Sequence, residues 1–510
     1  MIDFRSVYRH AEEHTNFFVG GLFCLLVFLI IFQSIFSPGI VIAGLLSLLA
    51  LWVALTRPIW ILGFLSLYLP FESIVLKFTP DDVYFIARYF SEGLIYLVAF
   101  VVLLNFFLGR QKHQSTPIDS AFVFLLISMF ASVLINFVPV SVAVLGVRQI
   151  LRFVIVFFLV VQLKPAQSFI RNLTIAMLVI VLFQSVLGIT QALLGQPLDE
   201  FLLPGDEHAI GSILLTGGVD QFWDPGSRVF ATLGRYDRLG NFLYIFLLIS
   251  SGFLFVKQRS KEISSFLPWI FLLGLPTLVL TYSRASWFAF LLGFLFIGLY
   301  VMRDKRVFTG LVVFIVSIML VLGSSGLNVA LLTESSGQTL TERFFESFSY
   351  ARWAGEYYGL GRTFWFVHTP LNIVSASPIF GWGPGQYGGG AVSALRNTTV
   401  YEAVDLPFGV FGTEGYIDNN WFSLWGEIGT LGMIFYLWMF LGLFVFAMRQ
   451  YRISKDPFVQ AMCLGFAAMV IAVSFNAFTS TLLEIRTIAF YFWLYAGFIV
   501  VLSNTKQKRV

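Results

Sequence analysis

Apolar stretches of about 18 to 25 residues recur along most of the chain, and polar connections separate them. A helix of that length crosses the roughly 30 Å hydrocarbon core of a bilayer. The strand-length alternation typical of outer-membrane barrels is absent. The pattern predicts an all-α polytopic membrane protein with about 14 transmembrane helices. The predicted spans are 16 to 36, 37 to 55, 58 to 75, 92 to 108, 119 to 138, 144 to 163, 172 to 193, 239 to 257, 266 to 282, 285 to 302, 307 to 326, 420 to 448, 458 to 477 and 482 to 503.

The composition agrees with this class. Of the 510 residues, 58% are hydrophobic and 12% are charged, which is about half the charged fraction of a soluble domain. The net charge of +4 is spread over short loops, so it does not indicate a nucleic-acid partner. Cys24 and Cys463 both lie in apolar stretches, and they predict neither a disulfide framework nor a thiolate metal site.

Basic clusters orient the predicted spans. If every span is crossed in turn, the clusters fall on one side, which the positive-inside rule identifies as the cytoplasm. Both termini are then predicted to be cytoplasmic. The clusters are Arg5 and Arg9, Arg57, Arg110 to Lys112, Lys164 to Arg171, Lys257 to Lys261, Arg303 to Arg306, Arg449 to Lys455 and Lys506 to Arg509.

Two outward segments, 194 to 238 and 327 to 417, are much longer than the other connections. Loops of that length in a compact protein are usually functional or disordered, and the second is too rich in aromatic residues and glycine for disorder. Its Thr339 and Glu342 have the spacing of a capping box, which predicts a short helix on the membrane surface. We therefore expect one transmembrane domain over 1 to 510, with the second outward loop carrying part of an active site.

Four arginines on the predicted outer side are candidate anion ligands: Arg228, Arg235, Arg284 and Arg362. A guanidinium group matches the geometry of phosphate, and that contact is strong where water is scarce. The alternative for each arginine is a position at a helix end or a pairing with a local carboxylate. That alternative is favoured for any one of them taken alone, except Arg284, which is pressed between two spans.

Carboxylates on the same side could act as a general base. Asp418 lies beside Asn419 at the start of a predicted span, where it could be a base or an N-cap, and Glu356 is a second candidate. His368 follows Arg362 by six residues, which does not place the two on one helical face. The HExxH, GxSxG and Walker A patterns are absent from the chain, which argues against zinc hydrolases, serine hydrolases and ATPases.

The order of several short motifs resembles the O-antigen ligase and O-antigen polymerase superfamily. The resemblance covers about 200 residues, and the first third of the chain shares only hydropathy with it. The motifs are Arg228 followed by Leu233-Gly234 and Asn241, Ser283-Arg284, Gly361-Arg362, the run Pro378-x-x-Gly381-x-Gly383-x-Gly385, Asn419, and Glu427-x-Gly429-x-x-Gly432.

The resemblance implies a GT-C glycosyltransferase of the bacterial inner membrane. Such enzymes transfer a glycan from undecaprenyl pyrophosphate to an acceptor glycan at the outer face, with inversion and without a metal or other cofactor. A chain-length regulator is a further expected partner besides the lipid bilayer. By position, the resemblance implies that Arg228, Arg284 and Arg362 bind the pyrophosphate. With the candidates from the residues themselves, we expect the catalytic residues to be Asp418, Arg284, Arg362 and Glu356, and the substrate-binding residues to be Arg228, Arg235, Asn241, Asn419 and His368.

One departure from the family pattern bears on the reaction. The ligases commonly have a histidine before the asparagine that matches Asn419, and this chain has Asp418 there. We therefore expect a polysaccharide polymerase, with a ligase that transfers glycan to lipid A core or protein as the alternative. A transporter without chemistry is an alternative of another class. It predicts ionisable groups inside the spans, and the chain has few, with Arg148, Arg152, Glu484 and Arg486 as exceptions.

Overall fold

The computed structural model describes residues 38–204, 208–210, 213–216, 228–256, 263, 265–335, 338–410 and 413–507. The first predicted span, 16 to 36, lies outside these residues. The described chain is helical apart from one antiparallel hairpin, β1 (His208–Ile210) and β2 (Ile213–Thr216). The predicted all-α class is therefore confirmed.

The helices of the first half of the described chain are α1 (Pro38–Thr56), α2 (Pro58–Tyr68), α3 (Glu72–Lys77), α4 (Asp81–Phe107), α5 (Asp119–Ile135), α6 (Val140–Leu151), α7 (Val154–Leu163), α8 (Gln167–Leu194) and α9 (Gln196–Leu202). Those of the second half are α10 (Tyr236–Phe255), α11 (Leu267–Leu280), α12 (Arg284–Leu295), α13 (Lys305–Ser325), α14 (Leu340–Phe345), α15 (Tyr350–Tyr358), α16 (Arg362–His368), α17 (Gly390–Leu395), α18 (Thr399–Ala403), α19 (Asn420–Ile453), α20 (Pro457–Asn476) and α21 (Arg486–Gln507). Short 3₁₀ or π turns extend several of them.

Among the described residues, 10 helical segments are long and apolar enough to cross a membrane, or up to 11 if the bent pair α6 and α7 forms one span. One of the 10 is the continuous segment Pro58–Lys77. The apolar helices α5 and α11 are shorter. Each predicted span after the first coincides with an apolar helix, except 144 to 163, which covers two. The count of 14 is not confirmed.

The predicted span 144 to 163 is two helices, α6 and α7, which meet at an angle of 57°. Broken spans occur in transporters. The partners of the charged residues near this break therefore bear on the transporter alternative. Arg148 on α6 makes two 2.6 Å hydrogen bonds to the Glu92 carboxylate on α4. Arg486 at the start of α21 lies 2.5 Å from Glu72. Arg148 and Arg486 are thus each paired with a carboxylate within the bundle.

The bundle is centred on α20, which packs against α10, α12 and α19. Glycines allow the backbones of α10 and α20 to approach closely. A Cβ atom on Gly252 would lie 2.1 Å from the carbonyl oxygen of Ala461, and one on Gly465 would lie 2.7 Å from Ile249 Cα. Small residues serve the same purpose in other membrane bundles, where close van der Waals packing holds helices together.

The segment between α13 and α19 forms a lobe with a small core of its own, in which Trp365, Tyr387, Tyr401 and Ile417 are buried. Its first helix, α14, begins at the predicted capping box: Thr339 accepts from the Glu342 amide, and the Glu342 side chain accepts from the Thr339 amide. The prediction of a short helix here is confirmed.

The turn from Gly381 to Gly390 attaches this lobe to the beginning of α19. The amide of Trp382 donates to Gly426 O over 2.9 Å, and the amide of Gly383 donates to Glu427 O over 2.8 Å. Gly381 and Gly429 both have φ of +66°. A Cβ atom on Gly429 would lie 2.3 Å from the amide nitrogen of Gly381. The two glycines therefore permit a contact that no other residue type would allow.

Candidate active site

Three of the arginines singled out by the sequence lie at one end of the bundle. Arg284 is the first residue of α12, Arg362 is the first residue of α16, and Arg228 lies in the irregular segment before α10. Each contacts a carboxylate of one continuous ionic network. The structure thus brings together arginines that are far apart in the chain.

Glu334 is the first centre of the network. Its Oε1 lies 2.6 Å from Arg228 Nη2 and 2.9 Å from Arg343 Nη1, and its Oε2 lies 3.0 Å from Arg352 Nη1. Burial disfavours the ionised form, but the guanidinium groups of Arg343, Arg228 and Arg352 outweigh it and lower the pKa of Glu334 to about 2. One ionised carboxylate is therefore shared by three cations.

Glu346 is the second centre, and its side chain is 0% exposed. Its Oε2 lies 2.9 Å from Arg284 Nη1 and 3.1 Å from Arg343 Nη1, and its Oε1 accepts from Arg352. Burial would raise the pKa of this carboxyl group, but the neighbouring cations, Arg284 first, lower it. Glu346 is therefore a buried counter-ion that holds Arg284 at the beginning of α12.

Glu356 and Asp418 extend the network to α19. Arg352 Nη2 donates to Glu356 Oε1 over 2.7 Å, and Arg362 Nη1 lies 3.9 Å from the same oxygen. Arg362 Nη2 donates to Asp418 Oδ2 over 3.1 Å. Burial opposes the charge of Arg362, but Asp418 and Glu356 outweigh it and raise its pKa. Both candidate bases thus lie beside the same arginine.

The network has the charge and the free donors to bind a further anion. It pairs five arginines, Arg228, Arg284, Arg343, Arg352 and Arg362, with four carboxylates, Glu334, Glu346, Glu356 and Asp418. One positive charge is in excess. Among the described residues, Arg228 Nη1, Arg343 Nε and Arg362 Nε are buried without a hydrogen-bond partner. Unused guanidinium donors with excess positive charge are what phosphate oxygens bind.

Arg235 and Asn419 lie close to this network. Arg235 Nε donates to Asp237 Oδ1 over 2.9 Å. Asp237 is the main cause of the raised pKa of Arg235, and Asp418 contributes a smaller part, so Arg235 is within electrostatic reach of Asp418. Asn419, rather than Asp418, is the N-cap of α19, because its side chain accepts from the Phe422 amide over 3.0 Å. This capping leaves the Asp418 carboxylate free to pair with Arg362.

Asn241 is buried among three helices and does not contact the arginine network. Its Oδ1 accepts from Ser286 Oγ over 2.9 Å and from Asn476 Nδ2 over 2.7 Å. These bonds join α10 to the first turn of α12 and to the end of α20. The structure therefore places Asn241 where it can position the helix that carries Arg284. Its predicted role in binding substrate stays a prediction.

His368 lies at the end of α16, away from Arg362. Its ring stacks on Phe364 with centroids 4.0 Å apart, and its nitrogen atoms lie 3.3 Å from Tyr357 Oη and from Asn372 Oδ1. No contact joins it to the carboxylates described above. Within the described ranges, no group of three or more histidine, cysteine, aspartate or glutamate residues could hold a metal ion.

The glycine turn directs its amide groups at carboxylates of the protein itself. Gly385 N donates to Glu427 Oε1, and Gly390 N donates to Glu484 Oε2, each over 3.0 Å. Glu484 Oε2 also accepts from Gln149 Nε2 over 2.6 Å. The turn therefore packs against carboxylates of the protein itself, and these amides are not available to a phosphate.

The sequence analysis assigned no role to Glu334, Glu346, Arg343 or Arg352. The only local signals are the spacings of three residues from Arg343 to Glu346 and of four from Arg352 to Glu356, which favour pairing on a helix. The contacts of Glu334 join residues from distant segments. No local pattern in the sequence indicates them.

One family model matches the part of the chain that contains most of this network. Residues 269–437 match the O-antigen ligase family model. The predicted resemblance to the O-antigen ligase and polymerase superfamily is therefore confirmed. No curated protein matches the chain closely enough to be a relative.

The O-antigen ligase match includes both centres of the ionic network and the beginning of α19. Arg284, Arg362, Asp418 and Asn419 lie inside the matched residues, whereas Arg228 lies outside them. The match indicates a ligase-type or polymerase-type activity on lipid-linked glycans in a membrane. It does not distinguish the two reactions.

Proposed function

We propose that the protein is a polymerase of lipid-linked polysaccharide repeat units. It would transfer a glycan from undecaprenyl pyrophosphate to an acceptor glycan at the outer face of a bacterial inner membrane, with inversion and without a metal. The observation that carries this proposal is the network of five arginines and four carboxylates, most of which lies inside the O-antigen ligase match.

The arginines would bind the pyrophosphate and stabilise the charge that develops when it leaves. The acceptor oxygen forms a bond to the anomeric carbon as the bond from that carbon to the phosphate oxygen breaks. The electron pair of the broken bond remains on undecaprenyl pyrophosphate. Fixed cations such as Arg284 and Arg362 favour this step because they need little reorganisation as the charge appears.

A carboxylate would accept the proton of the acceptor hydroxyl, and Asp418 is the preferred candidate. Its side chain is 51% exposed and contacts one cation, Arg362. Glu356 is 19% exposed and is shared by Arg352 and Arg362. A base must reach the attacking oxygen, which favours the more accessible carboxylate.

A ligase is the second candidate, because the description of the matching family is O-antigen ligase. Asp418 in place of the histidine that the ligases commonly carry favours the polymerase instead. A ligase would use the same arginines and the same lipid-linked donor. It would differ in its acceptor, which would be lipid A core or a protein.

The test is reconstitution of the purified protein with synthetic undecaprenyl pyrophosphate oligosaccharide, followed by gel analysis of products. Wild type should give a ladder of lengthened glycans that persists with EDTA. Arg284→Ala should lose it, because Glu346 would lose one of its buried cations and the pyrophosphate one of its ligands. Arg396→Ala removes an exposed arginine of the same lobe and should keep the ladder.

Two outcomes would contradict the polymerase. If product forms only after a core acceptor is added, the reaction is that of a ligase. If the lipid-linked substrate stays intact with either acceptor, the proposed transfer is wrong. Movement of the intact substrate across a vesicle membrane would then identify a transporter.

A further inference from the structure

The Glu334 carboxylate is held as a bound anion would be held. Arg228 and Arg343 contact its Oε1 over 2.6 and 2.9 Å, and Arg352 contacts its Oε2 over 3.0 Å. The three arginines come from the segment before α10, from α14 and from α15. Converging guanidinium groups from separate elements form a cradle of the kind that phosphate oxygens bind.

The two central carboxylates of the network differ in accessibility. The Glu346 side chain is 0% exposed and belongs to a helical turn, so its removal would leave buried cations without a partner. The Glu334 side chain is 42% exposed and lies in the irregular segment 332–335. Water can therefore replace its contacts as it leaves. Glu346 is therefore a buried partner of the arginines, whereas Glu334 is accessible to solvent.

The charge balance fits an exchange with a pyrophosphate diester. With Glu334 in place, the network has one positive charge in excess. Without it, the excess is two positive charges, which matches the two negative charges of a pyrophosphate diester. Arg228 Nη1 and Arg343 Nε are buried with no hydrogen-bond partner in the described part of the chain. A phosphate has more acceptor oxygens than a carboxylate and could use these donors.

We propose that Glu334 is an internal anion that occupies a phosphate subsite formed by Arg228, Arg343 and Arg352, and that a phosphate group of the substrate displaces it. The inference rests on the proposed function, since the phosphate would belong to the lipid pyrophosphate donor. It assigns a binding role to Arg343 and Arg352. It also implies that the phosphate subsite opens only when the ligand binds, because in the absence of ligand the Glu334 carboxylate neutralises part of the charge of the arginines.

The test is calorimetric titration of the full-length protein in detergent with inorganic pyrophosphate. The fraction of molecules with Glu334 withdrawn sets the apparent affinity of the site. Glu334→Gln should therefore bind pyrophosphate about tenfold tighter than wild type or more. Glu402→Gln removes an exposed carboxylate of the same lobe, which contacts Thr398 and lies outside the network. It should bind as wild type does.

Equal or weaker binding by Glu334→Gln would overturn the inference and make Glu334 a structural partner of the arginines. Absence of binding by both proteins would also reject it. A cooperative thermal transition establishes that the variant is folded. If Glu334→Gln is not folded, Glu334→Asp takes its place, because the shorter carboxylate cannot keep all three contacts and should also give tighter binding.

A glycan-transfer assay run in parallel separates this inference from the proposed function. Tighter pyrophosphate binding without transfer by any variant would support the subsite and reject the polymerase. Transfer by wild type with unchanged pyrophosphate affinity in Glu334→Gln would support the polymerase and reject the displacement of Glu334.

Discussion

Asp418 and Arg362 form the ion pair of the network that lies nearest to the beginning of α19. The two side chains are 51% and 33% exposed, and they are 3.1 Å apart. Asn419 caps the helix, so Asp418 makes no capping bond that would occupy its carboxylate. A residue with an accessible carboxylate, held by one cation beside the proposed leaving group, has the properties that a general base requires.

Asp418→Asn should therefore reduce glycan transfer by about 10²- to 10⁴-fold, while inorganic pyrophosphate still binds. Asp405→Asn is the matched control, since Asp405 is exposed in the same lobe and has φ of +53°, which asparagine tolerates. Initial rates of product formation would measure both. Full activity in Asp418→Asn together with loss in Glu356→Gln would assign the base to Glu356.

Protonation of Glu334 and Glu346 should weaken the network in acid. Both carboxyl groups have a lowered pKa in the folded protein, about 2 for Glu334, against 4.5 as the ordinary value. A lowered folded-state pKa means that the unfolded chain binds protons more readily. Their contribution to stability is therefore complete above about pH 4.5 and is lost in acid, for Glu334 as the pH falls toward about 2.

Thermal unfolding at a series of pH values measures this effect. The midpoint of wild type should exceed that of Glu334→Gln at pH 5 and above, and the difference should shrink as the pH falls from 5 to 3. Glu402→Gln should follow wild type throughout. A difference that grows in acid would contradict the assignment of Glu334 as an ionised partner of the arginines.

At the scale of elements, helix positions follow from the apolar pattern because the bilayer requires long apolar runs. The predicted span 458 to 477 is α20, Pro457–Asn476, within one residue at each end. The break between α6 and α7 was not predicted, because both halves are predominantly apolar and together they have the length of one span. Hydropathy reports the length and composition of an apolar segment, but not whether the helix changes direction within it.

The candidate site was predictable only in part, because many of its contacts join residues that are distant in the sequence. Arg284 was noticed because a charge in a very short connection between spans is unusual. Glu334 and Glu346 are ordinary acidic residues of a long loop, and their importance comes from arginines that the fold brings to them. The position of Asn241 in the family pattern was visible in the sequence. Its contacts with Ser286 and Asn476 were not.

Asn241 should act on the site through the packing of α10, α12 and α20. Asn241→Ala would leave Ser286 and Asn476 without their buried acceptor, which should cost about 1–2 kcal/mol. Transfer should fall as well, because Ser286 belongs to the first turn of the helix that begins with Arg284. Thermal unfolding and initial rates would give the two effects.

Ser250→Ala is the matched control on the same helix. Ser250 is buried, and its hydroxyl oxygen has no hydrogen-bond partner among the described residues. Its removal should leave stability and transfer unchanged. Wild-type stability in Asn241→Ala, combined with weaker substrate binding, would instead support the predicted direct role of Asn241 as a substrate ligand.

At the scale of the whole molecule, the arginine network and the basic residues of the short connections lie toward opposite ends of the bundle. The arginine network lies where α10, α12 and α19 begin. The basic residues Arg303 and Arg449 lie toward the opposite ends of α12 and α19. The positive-inside rule counts short connections and not long loops. From this rule we predict that the end with Arg303 faces the cytoplasm and that the network faces outward.

Cysteine labelling in intact spheroplasts tests this orientation. In a background with Cys24→Ser and Cys463→Ser, Glu402→Cys should react with a membrane-impermeant maleimide from outside. Lys112→Cys, which is exposed in the connection between α4 and α5, should react only after the membrane is permeabilised. The two residues belong to connections on opposite sides, so an inverted protein would exchange their labelling. That result would place the network in the cytoplasm, where it could not meet a glycan carried on the outer leaflet.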